Sequence, residues 1–281
     1  MVYGEDERAQ NRRMLAYGAG AVLVIAAGVG VWAYVHRKPA PEPVITPATE
    51  TAAASAGSES TAPVIEHPLT PEAAAAPLPA LPDSDAPVAV ELQRVFGAPA
   101  VATWLVPDQV LRRFVATVDN LPRNVPLEKR RPLQAPAEAF IVDRTTVDGS
   151  DGTQRITLSS RNSARYDAAV AVLEKVDPQA LATLYRLYYP LLQQAYEDLG
   201  YPERHFNDRM VAVIDELLRT PDITQPIALV QPKVLYQFED PKLEQLSSGQ
   251  KLMLRMGPAH AATVKARLRE LRALIATPAR K

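Results

Sequence analysis

The stretch Asp177-Pro-Gln-Ala-Leu-Ala-Thr-Leu-Tyr-Arg-Leu-Tyr-Tyr-Pro-Leu-Leu-Gln-Gln-Ala-Tyr-Glu-Asp-Leu-Gly200 predicts a long helix, and this helix sets the fold class of the C-terminal part of the chain. Asp177 is a favoured N-cap because its carboxylate accepts a hydrogen bond from a free N–H of the first turn. Proline suits the first helical position, where its missing N–H would have no helical partner. Gly200 is typical of a helix end, since it adopts a left-handed conformation without strain.

Four tyrosines lie on this predicted helix: Tyr185, Tyr188, Tyr189 and Tyr196. Tyr185, Tyr189 and Tyr196 share one face with Leu181 and Leu192. Such a stripe favours packing in the core, with hydroxyl groups that reach partners at its edge. The alternative is an aromatic platform for a sugar or a peptide strand, with Tyr185 and Tyr189 as its binding residues.

Further helices are predicted on both sides from apolar periodicity and from capping residues. They cover residues 85–96, residues 107–118, residues 164–176, a helix from the cap Asn207 to Arg219, and two final helices that meet at Met256-Gly257-Pro258. Phe206 and Val211 are spaced as a hydrophobic staple around the start of the Asn207 helix. Residues 84–281 are therefore predicted to form a mainly helical globular domain, here called the head.

One β-hairpin is predicted within the head. Residues 140–147 and 155–158 are β-rich runs that flank an Asp-Gly turn signal at 148–152. Residues 227–230 and 234–238 are short runs typical of strands or extended chain. The predicted fold class is mainly α: an N-terminal transmembrane helix, a disordered linker, and a helical domain with one small hairpin.

Residues 15–35 contain no charged side chain and predict a transmembrane helix. Their 21 residues would span roughly 31 Å as a helix, which matches a hydrocarbon core of about 30 Å. A cleaved signal peptide is the alternative, but the apolar run is too long and no small-x-small cleavage site follows it. We therefore expect the lipid bilayer to be one partner of the chain.

The charges around this segment predict its orientation. Three arginines precede it (Arg8, Arg12 and Arg13), and Arg37 and Lys38 follow it. The small excess places residues 1–14 in the cytoplasm and the head on the far side. In a Gram-negative cell the head would then be periplasmic and the helix would lie in the inner membrane.

Small residues within the segment also allow self-association. Ala16/Gly20 and Ala26/Gly30 are small-xxx-small pairs, which let two helices approach closely. Since small residues are also common in simple anchors, self-association is a possibility that this pattern leaves open.

Residues 36–83 predict a disordered linker rich in Ala, Pro and Glu. Too few large apolar side chains are present for burial to offset the entropy of ordering this segment. His67, which lies in it, is expected to be solvated. The predicted organisation is a cytoplasmic N-terminus at 1–14, a membrane helix at 15–35, a linker at 36–83 and the head at 84–281.

The composition excludes several classes of function. The 31 basic and 32 acidic side chains nearly balance, which gives no reason to expect nucleic acid as a partner. Cysteine is absent, so disulfides, a thiol nucleophile and zinc ribbons are excluded. The head's two histidines, His205 and His260, have no neighbours at the spacing of zinc-hydrolase ligands. Neither a metal nor a cofactor is predicted.

Carboxylates offer the remaining route to catalysis. Asp208 and Asp215 are seven residues apart, so both fall on one face of the predicted helix and form a candidate catalytic pair. A simpler interpretation of Asp208 is a favourable interaction with the dipole of its helix. The last helix combines an apolar stripe with the basic residues Lys265, Arg267, Arg269 and Arg272. It is interpreted as docked on the head, with a lipid or acidic partner as the alternative.

Four runs of the head resemble one protein family: residues 111–122 (LRRFVATVDNLP), 206–210 (FNDRM), 229–236 (LVQPKVLY) and 249–257 (GQKLMLRMG). They are similar to bacterial membrane-anchored proteins classed as domain of unknown function 3014. The likeness extends over roughly residues 84–276. It implies a membrane anchor joined to a helical domain. It does not imply any particular activity.

The sequence thus favours a non-enzymatic scaffold or binding module of the cell envelope, held near the membrane by a flexible linker. Its partner would be an envelope protein or a cell-wall polymer. The candidate binding residues are polar or aromatic groups near element ends: Phe206, Asn207, Asp208, Arg209, Gln231, Lys233, Tyr185 and Tyr189. The alternative is a periplasmic hydrolase of cell-wall material that uses carboxylates around Asp208.

Overall fold

The computed structural model describes residues 65–74, 77–124, 131–136, 138–146 and 154–276. The predicted transmembrane helix at 15–35 lies outside these residues. Within the described ranges, no helix combines the length and the apolar character that a bilayer span requires.

Helices make up most of the described head. The α-helices are α1 (Asp85–Phe96), α2 (Ala98–Trp104), α3 (Val110–Asn120), α4 (Asp167–Leu173), α5 (Pro178–Asp198), α6 (Phe206–Leu218), α7 (Pro241–Glu244), α8 (Ser248–Arg255) and α9 (Pro258–Ile275). The strands are β1 (Val142–Thr146), β2 (Gln154–Leu158), β3 (Ala228–Val230) and β4 (Gln237–Phe238). Short 3-10 helices cover Leu81–Asp83 and Ser160–Tyr166.

Helix α5 forms as its sequence predicts. The Asp177 carboxylate accepts a hydrogen bond from the N–H of Gln179 at 3.0 Å, and Pro178 occupies the first helical position. Gly200 follows the helix with a φ of 109°, a conformation that disfavours a side chain. Both signals that define the ends of the longest helix are therefore confirmed.

The main core lies where α5 meets α3, α6 and α9, whose apolar faces turn toward one another. The four tyrosines of α5 are all buried within it. The core interpretation of this stripe is thus confirmed, since an aromatic platform would need exposed rings. Helix α9 contributes the buried side chains Val264, Leu268, Leu271 and Ile275, so it is docked on the head.

The β-structure is larger than predicted. Strands β1 and β2 pair antiparallel with Val142 opposite Leu158, which confirms the hairpin; its turn lies outside the described residues. Strands β3 and β4 extend it into a four-stranded antiparallel sheet in the order β1-β2-β3-β4, so the prediction of a single hairpin is corrected. The sheet packs through its own small cluster, which includes Leu229, Phe238 and Leu254.

Two helix starts differ from the sequence expectation. Helix α3 begins at Val110 and not at residue 107, because Gln109 adopts a left-handed conformation with φ 52°. The carboxylate of Asp85, from α1, accepts the N–H of Gln109 at 2.7 Å and that of Val110 at 2.8 Å. Helix α6 begins at Phe206, so the predicted cap at Asn207 is wrong and Asn207 lies inside the first turn.

Part of the predicted linker is described, and there it lies against the head. The N–H of Glu72 donates to the carbonyl of Arg186 at 3.2 Å, and Leu69 and Leu78 pack on the main core. Contacts with the helices therefore begin well before residue 84.

Helix α8 packs so closely against α6 and the end of α3 that a Cβ at one of its positions would force a neighbouring side chain to move. The N–H of Gly249 donates to the carbonyl of Leu121 at 3.0 Å. A Cβ built on Gly249 would lie 2.6 Å from Cδ2 of Leu217 and 3.3 Å from Cδ2 of Leu121. This contact explains why the run at 249–257 begins with glycine although it starts a helix.

We expect Gly249→Ala to destabilise the protein by about 1–2 kcal/mol, because overpacking outweighs the better helix propensity of alanine. The free energy of unfolding from urea titration, followed by circular dichroism, measures this change. In the Gly249→Ala background, Leu217→Val should recover part of the loss, since it shortens the clashing side chain. A Gly249→Ala variant as stable as the wild type would contradict the close approach.

Candidate functional site

The start of α6 meets a remote segment of the chain. Residues 65–69, here called the strap, run across it with a bend at Glu66 and His67. The side chains of Asn207 and Asp208, here called the clamp, bind the main chain of the strap across about 140 residues of sequence.

Three hydrogen bonds join the clamp to the strap. The Asp208 carboxylate accepts the N–H of Glu66 at Oδ2 (3.2 Å) and the N–H of His67 at Oδ1 (2.7 Å). The Nδ2 of Asn207 donates to the carbonyl of His67 at 2.8 Å. The clamp therefore binds two donors and one acceptor of a bent stretch of main chain. Contrary to the expectation of a solvated residue, His67 is partly buried, because its main chain is held.

Asn207 is held in place by the core beneath it. The residue is 0% exposed; its Nδ2 also donates to the carbonyl of Ile275 at 3.0 Å, and its Oδ1 accepts the hydroxyl of Tyr185 at 3.1 Å. Burial raises the pKa of Tyr185 well above its usual value, so this hydroxyl stays a donor. These bonds fix the orientation of the amide, which explains why Asn207 does not cap its own helix.

Gln193 of α5 takes over the capping role at α6. Its Oε1 accepts the N–H of Phe206 at 2.8 Å, and its Nε2 donates to the carbonyl of Arg204 at 2.9 Å. Tyr189 lies beside it and directs its hydroxyl to the same Oε1 at 3.4 Å. A helix start that is satisfied from another helix leaves no local capping signal in the sequence.

Phe206 fixes the position of the clamp by packing. It is 0% exposed, and its ring centroid lies 5.5 Å from that of Tyr196, 6.2 Å from that of Phe114 and 6.5 Å from that of Tyr185. Phe206 therefore ties α6 to both α3 and α5 immediately before the clamp.

Arg209 joins a buried polar network centred on Asp119, a residue that sequence reasoning missed. The Nε of Arg209 lies 3.0 Å from Oδ1 of Asp119, and a guanidinium nitrogen of Arg123 lies 2.7 Å from Oδ2. Arg123 also donates to the hydroxyl of Tyr201 at 2.8 Å, a bond that raises the pKa of Arg123 together with the Asp119 charge. Asp119 is buried. It lies four residues after the buried Val115, and a charged residue on the apolar face of a helix is the signal that could have revealed it.

Comparison with known proteins identifies the family of this chain. The family described as "Protein of unknown function (DUF3014)" matches residues 110–272. The chain belongs to the DUF3014 family. No curated protein and no solved structure matches the chain.

The DUF3014 match includes the clamp and the Asp119 network but not the strap. Two of the runs that suggested the family, 111–122 and 206–210, meet in space through the pairing of Asp119 with Arg209. In this DUF3014 domain the helix turn that carries the clamp is therefore fixed by a contact between both runs.

The other candidate binding residues lie elsewhere in the DUF3014 domain. Gln231 and Lys233 are exposed in the turn between β3 and β4, where Nε2 of Gln231 donates to the carbonyl of Val234 at 3.0 Å. Val230 and Val234 beside them are 36% and 47% exposed. This turn belongs to the sheet, whose small apolar cluster is separate from the main core.

An apolar cavity of about 90 Å³ lies within the helical layer of the domain. Its walls come from α1, α3, α5, α6 and α9 and include Val88, Leu111, Leu184, Tyr188 and Met210. Such surroundings bind water poorly. The cavity adjoins the core below the clamp, since Tyr185 and Ile275 line it and also bond to Asn207.

The two carboxylates of the candidate catalytic pair have separate partners. Asp208 binds the strap, whereas Asp215 forms a bidentate pair with Arg272 of α9 at 2.5 and 2.9 Å. Lys265 of α9 is also engaged: it is buried and binds Asp222 and the carbonyl of Thr220, each at 2.6 Å. Among the described residues, no three His, Cys, Asp or Glu side chains are grouped to hold a metal ion.

The Asp215–Arg272 pair predicts a pH dependence. The hydrogen bonds from Arg272 lower the pKa of Asp215 below its usual value. The pair therefore stabilises the folded state at pH values above the pKa of the unfolded state, which is about 3.9. This contribution is lost as the pH falls through the lowered pKa of the folded state. Both side chains are more than a third exposed (38% for Arg272 and 35% for Asp215), so we expect at most about 1 kcal/mol.

Urea unfolding of the wild type and of Asp215→Asn at pH 7 and at pH 2 measures this effect. The difference in unfolding free energy should be present at pH 7 and smaller at pH 2. A difference that is unchanged at pH 2 would show that the charge of Asp215 is not its cause.

Proposed function

We propose that this DUF3014 protein is a non-enzymatic binding protein of the cell envelope. Residues 15–35 anchor it in the inner membrane, and residues 1–14 lie in the cytoplasm. The head lies in the periplasm, where it holds an envelope protein or a cell-wall polymer. The charge-free run and the arginines that precede it support the anchor and its orientation.

The observation that carries the binding role is the clamp itself. Asn207 and Asp208 present fixed polar groups to the main chain of a segment far away in sequence. Side chains that are oriented before binding lose little entropy when they bind, which is a hallmark of recognition sites. Buried bonds from Tyr185 and to Ile275 provide this orientation.

The geometry favours binding over carboxylate catalysis. A two-carboxylate hydrolase needs one acid whose pKa is raised, so that it can donate a proton near neutral pH. Arg272 instead lowers the pKa of Asp215 and keeps it ionised. Asp208 uses both of its oxygens to accept backbone N–H groups.

A photo-crosslinking residue in place of Glu203, which is exposed just before α6, tests the binding role in intact cells. The same residue in place of Lys175, exposed after α4, is the matched control. We expect a specific envelope adduct from position 203 that is lost in the Asp208→Asn variant. Equal adducts from both positions would contradict a binding site at the clamp.

Two further measurements bear on the same proposal. Deletion of residues 15–35 should move the protein from the membrane fraction to the soluble fraction; retention in the membrane would refute the anchor. Incubation of the full chain with cell-wall fragments should give no turnover. Turnover that is abolished by Asp208→Asn and by Asp215→Asn separately, without loss of fold, would establish the hydrolase instead.

A further inference from the structure

We propose that the clamp recognises a bent polypeptide segment of a partner, and that the strap is an internal occupant which this polypeptide replaces. The inference rests on the proposed binding function and specifies its ligand. It follows from what the clamp touches, from how the strap fits, and from how the strap is connected.

The clamp selects for a bent main chain. Its three bonds require two successive N–H groups and the carbonyl of the second residue on one side of the chain, as Glu66 and His67 present them at their bend. Pro68 follows His67 and restricts the conformation of His67. The matching ligand is therefore a peptide that bends at this point, with a proline after the clamped residue.

One apolar side chain completes the recognition. Leu69 packs against the main core, whereas Ile65 is 38% exposed and Glu66 is exposed to solvent. The partner peptide would thus carry an aliphatic residue directly after its proline. The residue equivalent to Glu66 is free to vary, since only its N–H is bound.

The strap fits the site imperfectly. Among the described residues, none hydrogen-bonds Nδ1 of His67, although this atom is buried. A buried polar atom without a partner weakens binding, because it has lost its hydrogen bond to water. A ligand with an apolar residue at this position should therefore bind better than the strap.

The strap occupies the clamp largely because it is covalently attached to the head. It belongs to the same chain as the clamp, so it is present at a high effective concentration whatever its intrinsic affinity. Few bonds offset the entropy of ordering it. A free peptide of better fit can therefore displace it, which makes the strap a competitor that limits binding to suitable partners.

The test uses the purified full-length chain and a fluorescent peptide with the sequence of residues 63–72 (PVIEHPLTPE). In one variant, Gly-Ser-Gly-Ser-Gly replaces residues 65–69, so that the site is vacated. We expect the peptide to bind this variant at least about tenfold more tightly than the wild type. Asp208→Asn in the vacated background should weaken binding by a further factor of about ten, and Lys175→Gln, away from the clamp, should not change it.

Modified peptides separate backbone recognition from side-chain recognition. N-methylation at the residues equivalent to Glu66 and His67 removes the two donors and should abolish binding. Glu66→Ala in the peptide should leave the affinity unchanged, and His67→Leu should increase it. Thermal unfolding followed by circular dichroism confirms that each protein variant is folded.

Equal affinity of wild type and vacated variant, or full binding of the N-methylated peptide, would overturn the inference. Binding of isolated glycan strands but not of the peptide would also overturn it, while a clamp-dependent adduct from position 203 would leave the proposed function standing. Wall-fragment turnover would instead refute the proposed function. If the vacated variant does not fold, wild-type protein and Asp208→Asn with the His67→Leu peptide decide the question: binding by the wild type alone supports the inference, and binding by neither overturns it.

Discussion

Replacing Phe206 by alanine is expected to lower the free energy of unfolding of the head by about 4 kcal/mol, within the range for buried phenylalanines. The ring is 0% exposed and contacts the rings of Phe114, Tyr185 and Tyr196. Its removal leaves a cavity at the junction of α3, α5 and α6, and the long α5 cannot move inward to fill it. Urea unfolding followed by circular dichroism measures the change.

Phe206→Leu is the matched control, since it keeps most of the apolar volume. We expect it to cost about 1–2 kcal/mol, mainly through the lost ring contacts. Because Phe206 positions the clamp, both variants should also weaken the strap contacts. A loss of less than about 1 kcal/mol for Phe206→Ala would contradict the central position of this ring.

Replacing Asp119 by alanine is expected to destabilise the head by about 3 kcal/mol, the lower end of the range for breaking a buried ion pair. Asp119 is 4% exposed and pairs with both Arg123 and Arg209. The substitution leaves two cations facing each other without their shared carboxylate. Both arginines keep some contact with solvent, which limits the penalty to the lower end.

A double-mutant cycle of Asp119→Ala and Arg123→Ala measures the interaction energy between these two residues. Arg123→Ala alone should cost less than Asp119→Ala, because its side chain is 47% exposed and Arg209 still neutralises Asp119. In the Asp119→Ala background, Arg123→Ala should cost nearly nothing or restore some stability. Costs that simply add in the double variant would show that the two residues do not act together.

The ends of α1 and α5 could be predicted because their signals are local. Gly97 and Gly200 adopt positive φ after the last helical turn, and Asp177 caps with its own carboxylate. Each of these effects involves residues within a few positions of one another. Sequence periodicity together with capping chemistry therefore sufficed to place these elements.

The sheet and the start of α6 could not be predicted in the same way. Strands β3 and β4 contain three and two residues, too few for an alternating pattern to stand out. The first turn of α6 is satisfied by Gln193 from another helix, so Asn207 looked like the cap and Phe206 like the residue before it. Both features depend on contacts that form only after the chain has folded.

The surroundings of the candidate binding residues could be predicted only in part. Residues 206–209 do lie together at a helix start, where Asn207 and Asp208 contact another segment. The sequence did not show that this segment is residues 65–69, since Pro-rich composition indicated only a linker. Asp119 escaped notice because a single acidic residue in an apolar helix is usually assumed to face solvent, whereas two arginines here make its burial tolerable.

Residue-resolved amide hydrogen exchange at Glu66 and His67 in the full-length chain tests the central claim most directly. If the clamp holds main chain, both amides should exchange at least about tenfold more slowly than in an unstructured peptide. Asp208→Asn should remove this protection and leave the helical amides of α5 unchanged. Exchange at the unstructured rate in the wild type, or protection that survives Asp208→Asn, would contradict the claim that the clamp holds the main chain of Glu66 and His67.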